Sequence, residues 1–147
     1  MQNPSTTTLP IKISFLWVVF LLGTLFHTQL ALMPLFHGVS VTESHMHEAV
    51  SVGTVMWFML FFFSLPLLAI AGCMLTPSRR FRSLHFGMTL VYTGLNLAHL
   101  ILDAMIAVPG YQLALMGLLL LIGLMLNWLS YRWIKSARGT VQLSPSG

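Results

Sequence analysis

YQLALMGLLLLIGLMLNWLSYRW, residues 111–133, carries no charged side chain before Arg132. A helix needs roughly 20 residues to cross a hydrocarbon core of about 30 Å, and this run is long enough to do so. Three more runs of the same kind precede it, at about 13–35, 49–75 and 84–108. The whole chain of 147 residues is 56% hydrophobic and 7% charged, which leaves too few polar groups to cover the surface of a water-soluble domain. The solvent for most of the chain is therefore lipid. The expected fold is all-α: a single integral membrane domain over residues 1–147, folded as a four-helix up-down-up-down bundle. The short Ser-, Thr- and Pro-containing tails, 1–10 and 136–147, are expected to be disordered.

The first run exceeds the apolar core of a secretory signal, is preceded by a single positive charge, Lys12, and has no small-residue cleavage motif. It reads as a retained first span. Orientation follows from the seven Lys and Arg residues. Lys12 precedes the first span, Arg79, Arg80 and Arg82 lie between the second and third, and Arg132, Lys135 and Arg138 close or follow the fourth. Positive residues are retained on the cytoplasmic side. Both termini and the TPSRRFRS turn (76–83) are thus expected in the cytoplasm, and residues 36–48 and the PGYQ hairpin (109–112) outside, as for a bacterial inner (cytoplasmic) membrane protein. Trp128, Tyr131 and Trp133 are expected at the inner interface of the fourth span.

Several function classes drop out. The net charge of +4 is what membrane topology produces, so nucleic acid is not an expected partner. Cys73 is the lone cysteine, which excludes an internal disulfide or a CxxC pair. G-x-S-x-G, phosphate-cradling glycine loops and H-E-x-x-H are all absent. No specific nucleophile or substrate pocket points to an enzyme. Gly87, Gly94, Gly117 and Gly123 are expected to let spans three and four approach closely. Pro66 is expected to kink span two, with a neighbour or water meeting the freed carbonyl.

The ionisable chemistry gathers on the outer side. HGVSVTESHMHEAV, residues 37–50, holds His37, His45 and His47 with Glu43 and Glu48. At 1.5 Å per residue, His27 lies roughly 22 Å along span one from Lys12, and His99 about 25 Å along span three from Arg82. The two imidazoles therefore reach similar depth on diagonal neighbours of the bundle. Tyr92, Asn96, His99 and Asp103 line one face of span three, and an acid inside a span faces the interior or a cavity. His27, His37, His45, His47, Glu48, His99 and Asp103 are thus candidate metal ligands, with His85 left at the inner boundary. Imidazole and carboxylate suit Zn, Cu or Fe, and Met33, Met46 and Met105 at the same level offer thioethers. The plainer alternative is that each histidine is a hydrogen-bonding partner between helices.

SHMHEAVSVGTVMWFMLFF, residues 44–62, resembles the H-x-H-x-x-x-x-x-G opening of a span in small four-span relatives of the haem-copper oxidase catalytic subunit, and the stretch 111–133 is similar to their closing span. In that family, histidines near the outer span ends hold haem iron and copper. The resemblance implies cofactor-binding roles for His45 and His47, with His27 and His99 as further candidates, and haem b as a cofactor. The outer side departs from the family in offering no Arg or Lys to neutralise haem propionates. The functional expectation is transition-metal or haem binding for electron transfer, sensing or metal handling. Two others stand beside it: an accessory subunit docked on a larger membrane complex, and a His/Asp proton relay or pH sensor, for which a homodimer would supply the room a transporter needs.

Overall fold

The computed structural model describes residues 4–38, 51–75, 78–106 and 108–136. Among them the chain forms α1 (Pro4–Phe36), α2 (Val52–Leu75), α3 (Arg79–Met105) and α4 (Gly110–Ser136), and no strand. All four helices are long and apolar enough to cross a membrane, with α3 the least apolar. The chain is helical from Pro4, well before the first expected span and through most of the tail expected to be disordered. A proline at the first helical position costs little, because the N–H it lacks would have had no partner there.

The bundle buries polar side chains within an apolar core and leaves large apolar side chains exposed on its outside. Its buried polar side chains include His27, His85, Thr89, Asn96, Asp103, Gln112 and Ser130, while Phe15, Leu22, Trp57, Phe58, Leu68, Leu84, Met105 and Tyr111 are exposed. Water would penalise this arrangement, whereas hydrocarbon favours it, since lipid tails solvate the apolar rim and internal partners meet the polar groups. The buried face of α3 is His85, Thr89, Tyr92, Asn96 and Asp103, which recur at steps of three, four and seven residues.

α4 is the central packing element, lying along both α3 and α1, while α2 leans on α1. The core joins Ile13, Trp17 and Phe20 of α1, Cys73 of α2, Tyr92 of α3, and Met116, Leu119, Leu126, Leu129 and Trp133 of α4. Glycine makes room at three contacts: a Cβ at Gly23 would run into Leu119, one at Gly72 into Phe81, and one at Gly123 into Thr93. Gly87, Gly94 and Gly117, expected at the contact of α3 with α4, have open space where a side chain would stand. Only Gly123 of that set faces its neighbour closely. Pro66 removes the N–H that would bond the Phe62 carbonyl, and the Tyr92 hydroxyl donates to that oxygen at 2.6 Å. A neighbouring helix thus mends the break.

The start of α3 is fixed by Ser78, whose Oγ accepts from the Phe81 N–H. Arg82 reaches across to the last turn of α4, donating to the Trp133 carbonyl at 3.1 Å and Ser136 Oγ at 3.2 Å, with its guanidinium over the Trp133 ring. A cation at a helix C-terminus meets both the unbonded carbonyls and the negative end of the dipole. Trp133 is accordingly buried, whereas Trp128 and Tyr131 are exposed.

Candidate metal centre

Where α1 and α3 near their ends, three expected ligands come together. Asp103 Oδ2 lies 3.5 Å from His27 Nε2 on α1 and 3.5 Å from His99 Nε2 one turn back on α3. The ligating atoms of the three side chains all fall within 4.8 Å of one another. The two imidazoles meet edge to face, with ring centres 5.5 Å apart. His99 and Asp103 share a face of α3 because four residues make about one turn. His27 reaches the same level because α1 and α3 run in the same direction, as the Trp17–His85 contact nearer their starts also requires.

Electrostatics favours a cation at this point. Asp103 is the only acid among the described residues and is 7% exposed, and the described Lys and Arg residues sit near the start of α1, the start of α3 and the end of α4. A carboxylate buried in apolar surroundings needs a positive partner or a proton. Asp103 Oδ2 and His27 Nδ1 are buried and make no hydrogen bond to any described residue. The His99 side chain is 53% exposed and forms the mouth of the site.

The distances suit an ion held between the groups. Ligand atoms about 2.0–2.2 Å from a tetrahedral metal lie roughly 3.3–3.6 Å from one another; both imidazole–carboxylate separations are 3.5 Å, and the three ligating atoms as a set lie within 4.8 Å of one another. A charge-assisted hydrogen bond would draw the same atoms to about 2.7–2.9 Å.

Among the described residues, the other expected ligand, His37, does not join this group. His37 is exposed in the turn that follows α1, its N–H bonded to the Pro34 carbonyl, and it stands apart from the three. His45, His47 and Glu48, with Glu43 and Met46, lie outside the described residues. Met33 and Met105 are exposed on the apolar rim. Two residues of α4 belong at this level instead. His85 lies opposite Ser130 and Arg82 opposite Trp133, so each step along α3 is matched by an equal step back along α4. Carried to the other end of this antiparallel pair, the register brings Gln112 level with Asp103 and Met116 level with His99, and both are buried. The tightness of the Pro109–Gly110 connection was the signal in the sequence that placed them there.

His85, by contrast, is satisfied. Its Nε2 accepts from Trp17 Nε1 at 2.9 Å, its Nδ1 is 3.3 Å from Ser130 Oγ, and its ring is enclosed by Trp17, Phe81 and Trp133. It is a structural crosslink of three helices. Comparisons of the chain with protein-family models, with curated proteins and with solved structures find no match. The chemistry of the site therefore rests on its own geometry.

Proposed function

We propose that this protein binds a transition-metal ion in the outer half of a four-helix membrane bundle, through His27, His99 and Asp103. The observation that carries the reading is the single carboxylate oxygen placed 3.5 Å from both imidazole Nε2 atoms, in a bundle interior with no other described acid. Two nitrogens and one oxygen suit Zn, Cu or Fe in its divalent state. Three protein ligands leave a coordination position open, the pattern of exchangeable and reactive sites more than of closed structural ones. With His99 half in the open, the ion can enter and leave, which favours metal handling or sensing.

The same placement speaks for a bare ion over haem. A haem held by two histidines needs a flat macrocycle between them, and here Asp103 Oδ2 touches both nitrogens that would face it. The up-down-up-down course, with both termini in the cytoplasm and the site facing outward, is supported by the sorting of Lys and Arg to one end and Asp103 to the other.

The test is the metal content of protein purified in detergent, by elemental mass spectrometry, for wild type and the Asp103→Asn and His27→Ala variants. The reading expects close to one ion per wild-type chain and a marked loss in both variants. Wild-type protein that neither retains nor takes up Zn, Cu or Fe would remove it.

A further inference from the structure

At the end of the bundle opposite Asp103, cations are laid on aromatic rings. Arg82 lies 5.0 Å from the centre of the Trp133 ring, Arg132 4.8 Å from that of Trp128, and Lys135 Nζ 4.6 Å from that of Tyr131. Asp103 is the only acid among the described residues, so no described acid lies at this end. Retention of Lys and Arg on one side of a membrane accounts for their presence here. It does not account for their gathering where α3 begins and α4 ends.

Two contacts join those helix ends: Arg82 donates to the Trp133 carbonyl and Ser136 Oγ, and the Phe86 and Tyr131 rings meet with centres 5.9 Å apart. Around this joint Arg79, Arg80 and Lys135 are exposed. Arg79 and Arg80 stand in the first turn of α3, which holds no acid and where the helix dipole opposes a cation. Their own helix adds to the positive field instead of balancing it. The same turns are also apolar on the outside. Leu84 is 74% exposed, Trp128 and Tyr131 are exposed, and Gly87, Leu90 and Val91 continue an exposed strip along α3. Nothing stands within 4 Å of where a Cβ at Gly87 would be. A ligand that suits this surface is anionic at one end and apolar along its length. A phospholipid with a net negative headgroup has that form, whereas inorganic phosphate or an acidic peptide supplies only the charge, and a zwitterionic lipid brings its own cation.

We propose that the outer seam between the start of α3 and the end of α4 is a binding surface for an anionic phospholipid. Arg79, Arg80 and Lys135 hold its phosphate, and its acyl chain lies along Tyr131 and the exposed strip of α3. Tyr131 steadies the Lys135 ammonium from beneath, and Arg82 keeps the two helix ends together. Each basic side chain near a bilayer surface strengthens binding of anionic lipid by about five-fold. The surface is independent of the metal site, which lies at the other end of the bundle.

The test is native mass spectrometry of the full chain in detergent, offered phosphatidylglycerol and phosphatidylcholine of matched acyl chains at equal concentration. Phosphatidylglycerol should be retained about five-fold or more in preference to phosphatidylcholine. That preference should fall about five-fold in Lys135→Gln, fall further when Arg79→Gln and Arg80→Gln are combined, and persist in Lys135→Arg. The three side chains are exposed, so these changes leave the core untouched. Equal retention of the two lipids, or a preference unchanged in the Gln variants, overturns the proposal. So does displacement of the lipid by an equal concentration of inorganic phosphate, which would assign the cluster to a free anion. The readout involves no metal, so failure here is separate from failure of the bundle to bind an ion.

Discussion

His27 Nε2 on the first helix and Asp103 Oδ2 on the third lie 3.5 Å apart, although 76 positions separate them in the chain (103 − 27). Both side chains are buried, and the carboxylate oxygen is at the same distance from His99 Nε2. This contact turns two similar depths, read from helical rise, into one chemical site.

His99→Ala should weaken metal binding by roughly 10- to 100-fold while leaving the fold intact, because the removed side chain is half exposed. His27→Ala should weaken it at least as much and also lower stability, since it leaves Asp103 with a single imidazole neighbour. Competition titration with a chromophoric chelator measures the first effect and thermal unfolding in detergent the second.

Metal binding should be indifferent to His85. That imidazole lies about 21 Å along α3 from His99 and uses both nitrogens on Trp17 and Ser130. His85→Leu should cost about 1–3 kcal/mol by leaving the Trp17 indole N–H without its acceptor. Metal content per folded chain should not change.

Tyr92→Phe should destabilise the bundle by about 1–3 kcal/mol, because it strips the Phe62 carbonyl of the hydroxyl that replaces the bond lost at Pro66. Restoring that backbone N–H with Pro66→Ala should make a second Tyr92→Phe change markedly less harmful. A double-mutant cycle in reversible unfolding gives the coupling directly.

The glycines should divide into two groups. Gly23→Val meets Leu119 and Gly123→Val meets Thr93, and each should cost about 1–3 kcal/mol through overpacking. Gly87→Ala and Gly94→Ala place a methyl group in open space within a helix, and should be neutral or gain up to about 1 kcal/mol. Unfolding midpoints of the four variants check the division.

The four helices were legible because lipid demands sustained apolarity, which survives in any single sequence. Rotation about each helix axis was harder to read. A helix that is apolar all round carries no stripe to say which side faces inward, so Gly94 was expected at a contact and faces open space. α3 is the exception. Hydrocarbon penalises its polar residues, so Tyr92, Asn96 and Asp103 marked the inward face correctly, while His99, read on the same stripe, is half exposed at its edge. Missed were Gln112 and Met116 of α4, buried at the level of the site, whose height depends on the pairing of two helices and not on either alone.

Metal-edge X-ray absorption on the protein loaded with Zn in detergent tests the central claim most directly. The account predicts a first shell of two imidazole nitrogens and carboxylate oxygen at about 2.0–2.1 Å, with one imidazole lost in His99→Ala and the other in His27→Ala. A first shell without imidazole, or one unchanged in both variants, would contradict it.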